Sequence, residues 1–285
     1  MRETSAQVGN SAPGSQRAPR TSGDRFSADE LARFNREGFV IARGLADFDM
    51  CRQMLECTRE SLAAANGPAE FEADLHYPGA PGSRDVTGGD TIRRLKEANG
   101  RHPVFSRFIT QPALVQRLSQ LLGPQIVMPL AHHNCIMTKQ PRFSSETLWH
   151  QDIRYWSYER PELVSIWLAL GRETPENGCL YLIPGTHSMT FGPERFDEAL
   201  FLRADQSENA ALIAEKVPAA LEPGDVLFFH CRTFHAAGRN QTDQTKFSVV
   251  FTFRPGDNPP KTGSRSASMP ELVLPRQGHP SSPPP

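Results

Sequence analysis

The sequence lacks the features that mark several broad classes of protein. No apolar run approaches the roughly 18 residues that a membrane-spanning helix needs, and the N-terminus has no apolar core of the kind found in secretory signals. The formal net charge is only -1, so the chain has neither the basic surface of a nucleic-acid-binding protein nor an acidic one. We therefore expect neither a membrane nor a nucleic acid as a partner. The sequence gives no indication of the oligomeric state.

The sequence contains few cysteines, and they are not spaced in pairs. The five cysteines are scattered along the chain, none belongs to a Cys-x-x-Cys pair, and their number is odd. The pattern therefore indicates neither a zinc knuckle nor a framework of disulfide bonds. Such cysteine usage is typical of a protein of the reducing cytoplasm.

The two ends of the chain have little material that could join a hydrophobic core. Residues 1–25 contain no aromatic residue, and residues from 255 onward are rich in proline with few apolar side chains. Such segments cannot bury enough apolar surface to offset the entropy lost on ordering. We expect a disordered leader over 1–25, one domain over 26–254 and a disordered tail over 255–285.

The body of the chain has helical patterns first and strand patterns later. A capping box at Ser27 opens a short helix that Gly38 ends, and apolar residues recur at helical spacing over 47–65 and 112–122. Beyond residue 124 the period changes to two, and short apolar or alternating runs occur at 125–128, 132–138, 163–170, 179–183, 226–230 and 246–253. These patterns predict a mainly β protein with flanking helices, built as a sandwich or jelly roll.

A segment rich in glycine and proline separates the early helices from this β region. It runs over residues 66–90 and is too long for an idle connection in a compact domain. Two interpretations stay open: a lid over an active site, and a disordered loop.

The strongest candidate for a functional site is the pair His150 and Asp152, taken together with His235. In a strand, residues i and i+2 point to the same face, so His150 and Asp152 can offer a nitrogen and an oxygen to one ion while Gln151 points away. Two histidines and one carboxylate form the facial triad that holds non-haem Fe(II) and leaves coordination positions open. An isolated His-x-Asp pair is also explained by an ordinary surface strand.

Further motifs accompany this triad: HQDIRYW at 150–156, RPEL at 160–163, Trp167, ENGCLYLIPGTH at 176–187, GDVLFFH at 224–230 and HAAGRN at 235–240. In this order and spacing the motifs resemble the phytanoyl-CoA dioxygenase family of Fe(II)/2-oxoglutarate oxygenases. The resemblance covers residues 34–253. It implies a double-stranded β-helix, a cupin-like jelly roll, with His150 and Asp152 at the end of one strand and His235 on a late strand.

The resemblance also implies an activity. It implies Fe(II) held by His150, Asp152 and His235, with 2-oxoglutarate and O2 as cosubstrates, and hydroxylation of a C–H bond of a small organic molecule with release of succinate and CO2. Related halogenases lack the carboxylate ligand, so an intact Asp152 favours hydroxylation. Family members act on acyl-CoA thioesters, compatible solutes and natural products, so membership does not choose the substrate.

The residues expected to bind 2-oxoglutarate depart from the family pattern. Lys246 stands where the family has an arginine, and Ala237 stands where it often has a serine. Lys246 keeps the charge that the far carboxylate needs but loses the planar fork of arginine. An ordinary strand-end lysine is the alternative, and Arg239 is a nearby substitute cation. Trp167 matches a family tryptophan that lines the cosubstrate pocket, although as an aromatic residue in a buried strand it can equally be a core residue alone. Met137 is placed to bind the cosubstrate from the preceding strand.

Other residues near the iron motif are assigned to the substrate or to packing. Lys139 is placed to shape the pocket, and the residues expected to bind substrate are His133, Arg154 and Trp156. His230 precedes His235 by an odd number of residues, so one strand cannot aim both at the metal without a bulge. We therefore assign His230 to packing, and His187 to a structural role in its turn.

Two other functions remain open from the sequence, because Lys246 and Ala237 weaken the cosubstrate assignment without affecting the iron ligands. One is a catalytically silent family member that binds a metal or an oxyacid as a regulatory module. The other is a cupin-like metalloenzyme that does not use 2-oxoglutarate.

Overall fold

The computed structural model describes residues 23–275. Residues 1–22 and 276–285 lie outside the described residues. Most of the leader expected over 1–25 therefore lies outside the described residues. So does the last part of the tail expected over 255–285.

The helices begin and end where the sequence carries the corresponding signals. In helix α1 (Ala28–Glu37), Ser27 Oγ accepts from the backbone N–H of Glu30 while the Glu30 carboxylate accepts from the N–H of Ser27. Gly38 ends this helix with a φ of 84°, in the left-handed region that favours glycine. The other helices are α2 (Phe48–Ala63), α3 (Ala98–Arg101), α4 (Pro103–Thr110), α5 (Pro112–Leu122) and α6 (Ser207–Ala214).

The described residues form two antiparallel sheets. The strands are β1 (Phe39–Ala42), β2 (Ala69–Phe71), β3 (Ile92–Lys96), β4 (Ile126–Pro129), β5 (Asn134–Lys139), β6 (Thr147–His150), β7 (Val164–Ala169), β8 (Leu180–Leu182), β9 (Val217–Pro218), β10 (Val226–His230), β11 (His235–Ala237), β12 (Lys246–Pro255) and β13 (Glu271–Val273). The larger sheet has the order β1-β10-β7-β12-β5-β3-β2, with β4 paired to β12 and β13 paired to β4. The smaller sheet has the order β6-β11-β8-β9. The prediction of a mainly β fold with flanking helices is confirmed.

The larger sheet is buried on both faces, and the alternation of side chains along its strands explains how. In β7, Ile166 and Leu168 face a core that also contains Phe105 and Phe108 of α4. Trp167, between them in sequence, belongs to a second cluster, which includes Leu180 and other residues of the smaller sheet. The helices therefore cover one face, and the space between the two sheets lies over the other.

The prediction of a disordered tail is wrong for residues 255–275. Pro255 is the last residue of β12, Leu272 of β13 pairs with Met128 of β4, and Leu274 is buried. Arg254 Nε donates to a carboxylate oxygen of Glu271 at 2.8 Å. Among the prolines lies a short apolar run, Leu-Val-Leu at 272–274, and two of its side chains, Leu272 and Leu274, pack against the core.

The disordered interpretation of residues 66–90 is also wrong. The segment contains β2 and a short 3-10 helix, Glu72–Asp74. The Pro78 carbonyl accepts from the N–H of Glu146 at 2.8 Å, and the Tyr77 ring packs edge-to-face on Phe201 with centroids 5.6 Å apart. These contacts fix the segment against loops of the β region.

Candidate metal centre

His150, Asp152 and His235 are brought together by the pairing of two short strands. His150 ends β6, His235 begins β11, and the two residues lie opposite each other in the antiparallel register. Asp152 lies beyond the strand, as the first residue of a 3-10 helix, Asp152–Tyr155. Gln151 between them stays extended, with φ -107° and ψ 135°, so His150 and Asp152 keep the i, i+2 relation of a strand.

The three side chains offer a compact set of ligand atoms. One ligand atom from each residue lies within 4.8 Å of the others, and all three residues are buried. Asp152 Oδ1 lies 3.9 Å from Nε2 of His150 and 3.5 Å from Nε2 of His235. Two imidazole nitrogens and one carboxylate oxygen on one side of an ion are the donor set of a non-haem Fe(II) site. The residues present therefore fit this metal.

The backbone fixes the orientation of both imidazoles. His150 Nδ1 lies 2.8 Å from the Leu148 carbonyl oxygen, and His235 Nδ1 lies 3.1 Å from that of Thr233. Each Nδ1 must carry the proton to donate these hydrogen bonds, so each Nε2 keeps its lone pair for a metal. Burial holds the pKa of His150 well below its usual value and also lowers the pKa of His235. Both rings are thus neutral ligands.

Asp152 is held by side chains from three other strands or loops. Ser165 Oγ donates to Asp152 Oδ2 at 2.9 Å and lies 3.0 Å from Thr252 Oγ1. His133 Nε2 lies 3.0 Å from Asp152 Oδ1. Burial opposes ionisation of Asp152, but the charge of His133 and its hydrogen bond to the carboxylate outweigh it and hold the pKa of the carboxyl well below its ordinary value.

His133 was expected to bind substrate, and the structure gives it a contact with a metal ligand. Burial alone would lower the pKa of His133, but the Asp152 carboxylate raises it to about 9. The sequence analysis missed this contact and also missed Ser165 and Thr252. A signal for Ser165 was present, because it is the one hydroxyl in the otherwise apolar strand β7.

A cavity between the sheets adjoins the triad, and we call it the inner chamber. Residues expected to bind the cosubstrate line it: Met137, Trp167 and Lys246. It is also lined by Lys139, Leu180, Ala237 and Val250, and by all three triad residues. Arg239 does not line it. The Arg239 guanidinium contacts the carbonyl oxygens of Ser144 and Arg142 instead.

Lys246, in the wall of this chamber, is one end of a buried ion pair. Its Nζ lies 3.0 Å from Glu173 Oε2 and 3.2 Å from Ser248 Oγ, and only 4% of Lys246 is exposed. Glu173 Oε1 accepts from Ser248 Oγ at 2.7 Å and from Trp167 Nε1 at 2.9 Å. Glu173, which the sequence analysis missed, therefore ties together two of the residues expected to bind 2-oxoglutarate.

A second cavity also adjoins His150 and Asp152, and we call it the outer chamber. The residues expected to bind substrate line it: His133, Arg154 and Trp156. Leu75 and Tyr77 contribute from the segment 66–90, and Arg265 and Met269 contribute from the C-terminal segment. The segment 66–90 thus lies beside the cavity, where a lid would lie.

The outer chamber carries more positive than negative side chains. Its lining includes Arg93, Arg94, Lys96, Arg154 and Arg265 against Glu70, Glu97 and the metal ligand Asp152. Arg94 Nε lies 2.7 Å from Glu70 Oε1. The Arg154 guanidinium lies 3.9 Å from the centroid of the Phe201 ring. The cations come from three separate parts of the chain, which explains why no basic patch was visible in the sequence.

The two histidines assigned to structural roles lie away from the triad ligands. The rings of His187 and His230 pack with centroids 5.5 Å apart. His187 Nε2 lies 3.2 Å from the Asn35 carbonyl oxygen, and His230 Nδ1 accepts from the N–H of Arg232 at 3.1 Å. Neither belongs to the group of side chains that could hold a metal.

The fold and the triad together define an oxygenase of the non-haem iron class, built on a double-stranded β-helix. EctD from S. alaskensis in its apoform has the same fold, with a TM-score of 0.67 at 22% identity, and the match covers 86% of this chain and 82% of that one. The epimerase SnoN, solved in complex with Fe3+, alpha ketoglutarate and nogalamycin RO, matches with a TM-score of 0.65 at 20% identity and covers 82% of this chain and 85% of that chain.

The family follows from sequence. The profile of the phytanoyl-CoA dioxygenase (PhyH) family matches residues 34–248, and the chain belongs to this family of Fe/2-oxoglutarate-dependent oxygenases. Phytanoyl-CoA dioxygenase domain-containing protein 1 of Bos taurus is 26% identical over 268 residues, covering 79% of this chain and 89% of the relative. Ectoine dioxygenase of Sphingopyxis alaskensis is 25% identical over 250 residues, covering 82% and 77%. No helix among residues 23–275 is long and apolar enough to cross a membrane.

Proposed function

We propose that this protein hydroxylates a C–H bond of a small organic molecule, with Fe(II) as the metal and 2-oxoglutarate and O2 as cosubstrates. The observation that carries the proposal is the buried triad of His150, Asp152 and His235, whose ligand atoms converge between two chambers. When bound, iron and 2-oxoglutarate supply the oxidising chemistry, in which one oxygen atom of O2 enters succinate and the other enters the product. The carboxylate ligand Asp152 supports hydroxylation over halogenation.

The protein's own residues would divide the work between the two chambers. The inner chamber suits 2-oxoglutarate, because Trp167, Met137 and Lys246 line it beside the triad. The outer chamber suits the substrate, which His133, Arg154 and Trp156 would contact. In this arrangement His150, Asp152 and His235 would hold the metal between the two molecules, and the apolar walls around it would keep water from the reacting atoms.

The charges that line the outer chamber also support a proposal for the chemical class of the substrate. A chamber with an excess of guanidinium and ammonium groups favours a ligand that carries a carboxylate, phosphate or sulfate group. Arg154 and Arg265 are the cations of this lining that form no ion pair with an acidic side chain among residues 23–275. We therefore infer that the substrate is a small anion.

The cysteines support a location in the cytoplasm, because all five of them are free rather than joined in disulfide bonds.

One experiment tests the function and the substrate class together. A cell extract would be separated by ion exchange into anionic, neutral and cationic metabolites, and each fraction incubated with Fe(II), 2-oxoglutarate and labelled oxygen gas. We expect labelled product and matching succinate only from the anionic fraction, with Asp152→Ala as the inactive control. Product from the neutral or cationic fraction would refute the substrate class.

The silent and cosubstrate-free alternatives are tested separately. Adding 2-oxoglutarate to the anaerobic Fe(II) protein should give the visible metal-to-ligand charge-transfer band. Failure of this band to form at any concentration would refute the proposed function itself.

A further inference from the structure

We propose that residues 256–275, which we call the docked segment, help to select the substrate, and that Arg265 in this segment binds the anionic group of the substrate. The inference rests on the proposed function, because it assumes that a small anion is oxidised in the outer chamber. It assigns substrate recognition to a part of the chain beyond residues 34–248, which the family profile matches.

The docked segment is fixed on both sides of the residues that line the outer chamber. Ser266 is buried, and its Oγ accepts from the backbone N–H of Ser157 at 2.8 Å. The Pro270 carbonyl oxygen accepts from the N–H of Leu130 at 3.2 Å, and β13 follows directly. Arg265 and Met269, which line the chamber, are each next to one of these anchored residues.

Most cations of the outer chamber are already paired with acidic side chains. Arg93 Nη1 lies 3.1 Å from Glu72 Oε2, and Arg94 Nε lies 2.7 Å from Glu70 Oε1. The Lys96 ammonium lies 3.9 Å from the other oxygen of Glu70. The protein itself neutralises these three charges, so they attract an anionic substrate less strongly than an unpaired cation does.

The two remaining cations, Arg154 and Arg265, differ in their contacts. Arg154 Nη1 donates to the Ala199 carbonyl oxygen at 3.3 Å, and its Cζ lies 3.9 Å from the centroid of the Phe201 ring. Among residues 23–275, the Arg265 guanidinium forms no ion pair and no hydrogen bond. Arg265 therefore keeps all five of its N–H donors for a ligand, whereas Arg154 is partly engaged by its own chain.

A neutral aromatic surface lies beside Arg265. Burial and the charges of His133 and Arg265 lower the pKa of His132 to about 3, against a smaller opposing effect of Asp152. The neutral His132 ring packs on Trp156 with centroids 4.7 Å apart, and both rings line the outer chamber. The part of the substrate that follows its anionic group can therefore pack on this surface.

The same surface leads to the metal centre. The Trp156 ring also packs on His133, with centroids 5.4 Å apart, and His133 Nε2 lies 3.0 Å from Asp152 Oδ1. A substrate anchored at Arg265 can thus extend along Trp156 to the triad. Since the Arg265 side chain bonds to none of the described residues, it orients no metal ligand and should affect substrate binding rather than the chemical step.

The test uses the anionic metabolite fraction of a cell extract as the source of substrate. The fraction is diluted in series, and labelled product is measured with Fe(II), excess 2-oxoglutarate and labelled oxygen gas. We expect Arg265→Gln to need about 10- to 100-fold more of the fraction for half of its maximal rate, because a charge-assisted hydrogen bond is lost. Its maximal rate should stay within about twofold of the wild type. Arg265→Lys keeps the charge and should recover part of the loss.

Sulfate serves as a defined probe of the same position. At constant ionic strength it should inhibit the wild type on the dilute fraction, because it competes for Arg265. It should have little effect on Arg265→Gln. Lys261→Gln, which removes another exposed cation of the docked segment, is the matched control and should behave as the wild type in both measurements.

The charge-transfer band with 2-oxoglutarate separates the possible failures. It should be the same in the wild type and in every variant, because the inner chamber is unchanged. If the band and the product form, but Arg265→Gln half-saturates at the wild-type dilution or responds equally to sulfate, then Arg265 is refuted while the proposed function stands. Absence of the band in the wild type would refute the proposed function, and this inference with it.

Discussion

Ser165 Oγ donates a hydrogen bond to Asp152 Oδ2 at 2.9 Å, and this contact ties the metal carboxylate to a central strand of the larger sheet. Asp152 itself lies in a 3-10 helix at the end of the smaller sheet. The hydroxyl therefore links the two sheets at the metal centre. Its position on β7, the strand that also carries Trp167, connects the orientation of a metal ligand to the wall of the inner chamber.

Ser165→Ala should weaken Fe(II) binding by about 10-fold, because partners that orient a metal ligand typically contribute that much. Asp152 Oδ2 would lose its donor and the carboxylate its fixed orientation. Equilibrium titration of the iron measures the effect, and Ser188→Ala, an exposed serine, is the matched control. An unchanged iron affinity in Ser165→Ala would show that His133 alone suffices to position the carboxylate.

The triad residues should be far less tolerant of substitution. His150→Ala, Asp152→Ala and His235→Ala should each strongly reduce Fe(II) binding and succinate formation, since a site with three protein ligands has little redundancy. His230→Ala, which removes a ring packed on His187, should have a mild effect. Loss of iron binding in His230→Ala with retention in His235→Ala would mean that the distal ligand is assigned wrongly.

Two residues of the triad could be predicted from local sequence, and His235 could be predicted from the order of the family motifs. His150 and Asp152 are two residues apart, and the motifs around them fix the family. Glu173 and Thr252 could not be predicted in their roles, because their partners Lys246 and Ser165 are 73 and 87 residues away in the chain. Such contacts depend on which strands become neighbours in the sheet. Sequence periodicity predicts which side chains share one face of a strand. It does not predict which strand will lie beside it in the sheet.

The C-terminal segment shows a second limit of prediction from sequence, in which composition concealed an ordered strand. Its proline content was a sound reason to expect disorder, yet one apolar run was enough to form β13.

Helix α4 was also missed in the sequence. Its eight residues are too few for a clear helical period, and its burial of Phe105 and Phe108 depends on the sheet beneath it.

Truncation distinguishes the ordered part of the C-terminal segment from the rest. Ending the chain after residue 255 should lower the melting temperature, because β4 loses the partner strand β13 and Leu274 leaves the core. Ending it after residue 275 should leave the melting temperature unchanged. Deleting residues 1–22 should also be neutral, since Gly23, whose carbonyl accepts from Arg117, would be retained. Thermal denaturation of the three truncated chains checks these expectations.

Lys246→Met should weaken 2-oxoglutarate binding and also destabilise the fold. The substitution leaves the Glu173 carboxylate buried without a counter-charge, which costs on the order of 3 to 5 kcal/mol. The double variant with Glu173→Gln should recover most of this stability, because the glutamine amide can still bond to Ser248 and Trp167. Denaturant unfolding of the wild type, both single variants and the double variant gives the coupling. Additive effects would show that the ion pair contributes nothing.

Stability should depend on pH through Lys139. Its pKa is lowered in the folded state to about 7 from the ordinary 10.5, so the unfolded chain binds more protons between these two values. Stability must then rise with pH across that window, and the penalty for charging the buried lysine is greatest at and below pH 7. Lys139→Met removes the penalty, so it should be more stable than the wild type at pH 6.5 by on the order of 2 to 4 kcal/mol, with a gap that shrinks toward pH 9. Unfolding at a series of pH values measures the gap. A gap that is constant with pH would mean that the pKa of Lys139 is the same in the folded and the unfolded chain.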